Sequence, residues 1–95
     1  MDSKEEIEKG IGSLGKIKII KALAEESKLA TIYLLHKKTH LKRDDIKKNL
    51  DDLVNIGWVR QSKYANVMYS INSNNRLVSL FIAYLKEIGY IEQIE

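Results

Sequence analysis

Apolar residues recur along this chain at two spacings, and the switch from one to the other marks out its elements. Leu14, Ile17, Ile20, Leu23 and Ala24 fall on one helical stripe, with Lys16, Lys18 and Lys21 around the remaining surface. Ser13 stands at the N-cap, where a hydroxyl accepts from a free amide of the first turn, so a helix is predicted over about 14–26. Ser27-Lys28 ends it, and Leu29 reads as a short extended link able to pair with a later strand. A second helix is predicted over 32–39, capped by Thr31, with Ile32, Leu34 and Leu35 facing inward. Leu41 plugs the tight link Thr39-His40-Leu41. The third helix spans about 43–56, with Ile46, Leu50, Leu53 and Val54 inward and Ile56 closing its end. Gly57 stops it, because glycine takes a left-handed conformation without a Cβ penalty.

The spacing then shortens to two. Trp58–Lys63 and Val67–Asn72 are β-rich runs separated by Tyr64-Ala65-Asn66, which predicts a hairpin. Val67, Tyr69 and Ile71 alternate as a half-buried strand does. The cluster Asn72-Ser73-Asn74-Asn75 leads into a last helix over about 75–88. Leu77, Leu80, Phe81, Tyr84, Leu85 and Ile88 form its main stripe, and Val78, Ile82 and Ala83 widen the arc. Gly89 stops this helix, leaving Tyr90, Ile91 and Ile94 as an apolar tail. So broad an apolar surface exceeds what one small core needs, and it points to a second copy of the chain. Residues 1–12 hold too few apolar positions for a helix of their own beyond a short turn at Ser3. They are expected to form a loosely held acidic arm, followed by a folded unit over 13–73 and a pairing helix with its tail over 74–95.

Composition narrows the function classes. At 95 residues the chain makes one domain with a modest core. It has no cysteine, which excludes disulfides, thiolate metal sites and cysteine nucleophiles. No apolar run is long enough for a membrane span, and the acidic start is unlike a secretory leader, so a cytoplasmic location is expected. The net charge is +3, but it is unevenly placed. Residues 1–15 carry −2, residues 16–76 carry +7, and residues 77–95 carry −2. A basic centre suits a polyanion, since neutralised phosphates release counterions; the plainer reading is a lysine-rich soluble surface.

The order of elements is helix, extended link, helix, turn, helix, hairpin, helix. With Leu35-His36-Lys37-Lys38-Thr39-His40-Leu41-Lys42-Arg43-Asp44-Asp45-Ile46, then Leu50-Asp51-Asp52-Leu53-Val54-Asn55-Ile56-Gly57-Trp58-Val59 and the strand Met68-Tyr69-Ser70-Ile71, the chain resembles the winged helix-turn-helix superfamily. It is most similar to small archaeal and bacterial transcription regulators of the arsenic-repressor and multiple-antibiotic-resistance type. The resemblance covers roughly residues 14–85. It implies an α+β fold with a three-helix core, a two-stranded wing and a C-terminal helix. It also implies a non-enzymatic protein that binds double-stranded DNA as a homodimer, with no cofactor. The third helix would enter the major groove and the hairpin would touch phosphate or minor groove. The resemblance makes Arg43, Asp44, Asp45, Lys47 and Lys48 the base-facing positions. Lys37, Lys38, Lys42, Arg60 and Lys63 would contact phosphate, and dimerisation would run through the terminal helix.

Individual residues carry alternatives. Arg43 is the candidate for guanine readout, where a planar fork matches O6 and N7, or it is a solvated arginine at a helix start. Asp44 and Asp45 stabilise the first helical turn against its dipole, or accept from cytosine N4. Lys47 and Lys48 suit phosphate better than bases. At the hairpin, Arg60, Lys63, Tyr64 and Asn66 are within reach of backbone or minor groove, or form an ordinary exposed tip. Trp58 reads as a core anchor. His36 and His40 are four apart but lack the further ligands a metal needs. From 42 to 56, four basic residues are cancelled by Asp44, Asp45, Asp51 and Asp52. That neutrality keeps a second function open, a winged helix that docks on another protein in a transcription or replication assembly. A small-molecule effector between subunits is a third, weaker reading. No phosphate-cradling glycine loop and no nucleophilic serine setting suggests catalysis.

Overall fold

A computed structural model describes residues 13–26, 29–63 and 65–92. The expectations for the acidic arm at 1–12, for Ser27-Lys28, for Tyr64 and for Ile94 lie outside the described residues. Among the described residues, four helices and one hairpin follow in the predicted order: α1 (Leu14–Glu25), α2 (Ile32–Thr39), α3 (Arg43–Asn55), β1 (Val59–Lys63), β2 (Val67–Ile71) and α4 (Arg76–Glu87).

Local chemistry sets the helix starts. The Ser13 side chain accepts from the Lys16 amide, that of Thr31 from the Leu34 amide, and that of Asn75 from the Val78 amide. Each satisfies a first-turn donor that the helix itself leaves open. Gly57, at φ +80°, and Gly89, at φ +81°, lie just beyond the ends of α3 and α4 and turn the chain out of the helical path.

α1 is the central element and packs on α2, α3, β2 and α4. It therefore buries Ile19 and Ala22 as well as Ile17, Ile20 and Leu23. At Gly15 it passes so close to α3 that a Cβ there would stand 2.6 Å from the Asn49 side-chain amide. The predicted stripe placed Leu14 in the core, but the structure leaves it exposed, in the first turn of the helix. Ile56 is likewise exposed rather than sealing the end of α3. It is the residue at which the helix ends, and the chain then turns at Gly57.

The two strands pair antiparallel from Val59↔Ile71 to Lys63↔Val67. A third strand position joins them at Ala30, which exchanges two backbone hydrogen bonds with Tyr69 (2.9 and 2.8 Å). The sequence reading put that pairing one residue earlier, at Leu29, which is exposed. Small Ala30 is fully enclosed beside the equally enclosed Tyr69, whose hydroxyl accepts from Gln61 Nε2 at 3.2 Å. In the alternating strand only Tyr69 is fully buried, because Val67 lies beyond the core near the hairpin tip.

The last helix departs most from its predicted stripe. Val78 and Leu85 are its buried residues, and Phe81, Ile82 and Ile88 are partly buried. Phe81 packs on Trp58 with ring centroids 5.9 Å apart, which bears out Trp58 as an anchor beneath the hairpin. After Gly89 the chain folds back, and the Tyr90 and Ile91 amides both donate to Leu85 O. Tyr90 and Ile91 are thereby buried in the same cluster as Ile17 and Tyr69, so they are core residues and not a free apolar tail.

Candidate nucleic-acid interface

The turn between α2 and α3 is built from side chains as much as from backbone. Thr39 Oγ1 donates to Leu35 O at 2.7 Å and accepts from the Leu41 amide at 3.2 Å. His36 Nδ1 lies 2.7 Å from Leu41 O, which pins the other side of the turn and commits that ring nitrogen to the backbone. His40 adopts the left-handed conformation, at φ 62°. Leu41 packs against the core, as its place in the sequence predicts. Among the described residues, no group of three or more histidines or carboxylates is placed to hold a metal.

This turn delivers α3 with one face against the domain and the other bare. Ile46, Leu50 and Leu53 are buried. At 3.6 residues per turn, Asp44, Lys48, Asp51 and Asn55 then form the outermost stripe, and all four are exposed. Arg43 and Lys47 lie on the flank of that stripe next to Val54. Asp45 and Asp52 lie on the opposite flank, beside the start of α1.

Several charges on this surface are already matched. Lys47 pairs with Asp51 one turn along α3, and that hydrogen bond raises the Lys47 pKa above the usual 10.5. Lys16 on α1 reaches Asp52 Oδ2 at 3.0 Å and Asn49 Oδ1 at 3.3 Å. Lys38 reaches Glu26 at 3.1 Å and Glu25 at 4.0 Å, which ties it to the end of α1. Pairs at the surface are screened by water and salt and hold weakly, so a phosphate competes with them readily. Lys37, Lys42, Arg43, Lys48, Arg60 and Lys63 have no ion-pair partner among the described residues, and all six are exposed. Asn66 is exposed at the hairpin tip. Among the described residues, the two carboxylates of α3 without an ion-pair partner are Asp44 and Asp45, in its first turn.

One neighbour was missed from sequence. Tyr33 projects from α2 with 55% of its surface exposed. Lys37 Nζ lies 5.1 Å from its ring centroid and Arg43 Cζ lies 5.5 Å from it. The signal available in the sequence was an aromatic residue on the polar side of α2, four residues before a lysine.

Folds of this outline recur among solved structures. The chain superposes on a MarR family transcriptional regulator from Silicibacter pomeroyi with a TM-score of 0.69 and 15% identity. The match covers 90% of this chain and 63% of that one, so this chain spans under two thirds of that regulator's length. A predicted DNA-binding transcriptional regulator from E. coli gives a TM-score of 0.62 and 20% identity over 90% of this chain and 87% of the other. The chain is a winged helix-turn-helix. α2 and α3 form the helix-turn-helix, and β1 and β2 form the wing. No protein-family profile matches the sequence, and no curated protein matches it.

The residues expected to pair two copies of this winged helix are divided by the structure. Leu77, Leu80 and Tyr84 are 66%, 56% and 52% exposed and share one side of α4. Phe81 and Ile88 are half-buried. Leu85 is wholly enclosed within its own subunit, which removes it from any surface a partner touches. The correction follows from rotation along the helix, since the core takes the 78/85 side and leaves the 77/80/84 side bare.

Proposed function

We propose that this winged helix binds double-stranded DNA as a homodimer and regulates transcription. The observation that carries the reading is the bare outer face of α3, held by a side-chain-built turn and flanked by unmatched cations on α2 and the wing. Lys37, Lys42, Arg43 and Lys48 would grip backbone on the helix-turn-helix side, with Arg60, Lys63 and Asn66 doing so from the wing. Such contacts fix register and carry much of the affinity. Asp44, Asp51 and Asn55 would face the groove floor, with Asp44 suited to a cytosine N4 amine, while the longer Lys48 side chain on the same stripe would reach phosphate. Lys47 and Lys38 would exchange their carboxylates for phosphate on binding. Arg43, drawn toward α2 by Tyr33, is better placed for backbone than for the guanine readout its sequence position suggests. The fold likeness to a MarR family transcriptional regulator and to a predicted DNA-binding transcriptional regulator supports the same reading.

The exposed Leu77, Leu80 and Tyr84 support pairing of two copies through α4, with half-sites about one helical turn, roughly 34 Å, apart. Titration of a random 20-base-pair duplex from low to physiological salt tests the reading. Affinity should fall steeply, with a slope near −0.9 per phosphate contacted. Flat or absent binding would instead favour the second reading. In that case the charge-balanced third helix docks on a protein, and the internal pairs Lys47–Asp51 and Lys16–Asp52 are its supporting observation.

A further inference from the structure

Tyr33 has no place in the core and, among the described residues, its side chain takes no hydrogen bond in the helix-turn-helix turn, yet a cation from each of two helices lies against its ring. Lys37 comes from one turn further along α2, and Arg43 is the first residue of α3. Neither cation has a carboxylate partner among the described residues, although Asp44 and Asp45 adjoin Arg43 in sequence. Two positive groups gathered at one exposed ring repel each other, and the face of the ring offsets part of that cost. An anion that reaches both relieves the rest.

We propose that Tyr33 is a positioning residue that holds Lys37 and Arg43 together as a two-cation clamp for one backbone phosphate of the duplex, at the junction of α2 and α3. The inference rests on the DNA-binding reading and adds to it a residue with a defined role. The ring restrains the Arg43 guanidinium on the α2 side, away from the outermost stripe of α3. There its planar fork can grip two phosphate oxygens while the Lys37 ammonium supplies a second charge. Restraining both side chains before DNA arrives removes part of the ordering cost of binding. The clamp is indifferent to sequence, because phosphates carry no base information.

The test compares Tyr33→Phe, which keeps the ring, with Tyr33→Leu, which removes it. Both are exposed changes, and circular dichroism checks that each variant folds like the parent. In free protein, the Arg43 δ-protons and Lys37 ε-protons should show upfield ring-current shifts in the parent and in Tyr33→Phe, and should lose them in Tyr33→Leu. On a random 20-base-pair duplex, Tyr33→Phe should match the parent, while Tyr33→Leu should bind about fivefold more weakly near 100 mM salt. Its salt slope should be shallower by up to roughly 0.9, the loss of one phosphate contact. Absence of the ring-current shifts in the parent overturns the clamp. So does a Tyr33→Leu variant with the parent's affinity and slope. A Tyr33→Phe variant as weak as Tyr33→Leu also overturns it, since the hydroxyl would then be the contact. A parent that fails to bind duplex at any salt sinks the DNA-binding reading and the clamp with it, whereas a parent that binds steeply beside an unaffected Tyr33→Leu sinks the clamp alone.

Discussion

α3 and α4 are helices of 13 and 12 residues, each with one side against the same core, and they present opposite chemistry to the outside. α3 buries Ile46, Leu50 and Leu53 and shows Asp44, Lys48, Asp51 and Asn55. α4 buries Val78 and Leu85 and shows Leu77, Leu80 and Tyr84. A charged outer face gains nothing from permanent cover, because each exposed charge is well hydrated. It suits a partner that is itself charged and that comes and goes with salt. An apolar outer face loses free energy at roughly 25 cal/mol per Å² left in water, so it favours lasting cover. On the proposed reading, the difference separates a surface for reversible contact from one for assembly, on helices of nearly equal length.

The largest effect that would sharpen this contrast lies in the buried halves. Leu50→Ala should destabilise folding by about 2–5 kcal/mol in denaturant titration, through lost burial and a cavity. Leu85→Ala should do the same. Leu80→Ala, on the bare side of α4, should change the stability of a dilute, unassociated chain by under about 0.5 kcal/mol. Equal losses at Leu80 and Leu85 would mean that the two sides of α4 are not distinct.

Next in size is Gly57→Ala. It forces a Cβ onto a backbone at φ +80° and should cost roughly 1–2 kcal/mol, read as a lower thermal midpoint. Because Gly57 carries the chain from α3 into the wing, the variant should also weaken duplex binding more than it lowers helix content.

Charge substitutions probe the outward faces separately. Leu80→Glu should shift the sedimenting species toward monomer while leaving the salt slope per subunit intact. Lys48→Glu should weaken binding to every duplex sequence alike and leave the sedimenting mass unchanged. If each variant altered both properties, the division of labour between α3 and α4 would be wrong. The smallest effect concerns Lys47. Its pKa is raised by the hydrogen bond with Asp51, so Asp51→Asn should lower it toward 10.5 by NMR titration. A raised lysine pKa contributes stability that is fully present below the unfolded value and is lost as pH rises through the folded one. Asp51→Asn should therefore lower stability slightly at neutral pH, and the difference from the parent should vanish in alkaline solution as Lys47 loses its proton.

Element order and caps were readable because they depend on neighbours within a few residues. Ser13, Thr31 and Asn75 cap helices wherever the surrounding chain allows one, and Gly57 ends α3 by its own backbone freedom. The candidate interface was readable only in part. The exposed cations were visible as letters, but their commitments were not. Lys38 is drawn to Glu25 and Glu26, and Lys16 to Asp52, across sequence gaps that no local pattern spans. Tyr33 was passed over because its meaning comes from Arg43, ten positions away on another helix.

Amphipathic spacing, capping residues and glycine stops are short-range properties, and by themselves they determined that the described residues form four helices and a hairpin in this order. Which apolar residues meet was decided by packing. α1 passes through the centre and buries two sides of itself, the chain turns back after Gly89 to seat Tyr90 and Ile91, and the rotation of α4 encloses Leu85 while leaving Leu80 in water. The physical reason is that a helical stripe specifies a direction only relative to its own axis. The choice of which direction becomes the inside belongs to the neighbouring elements that fill it.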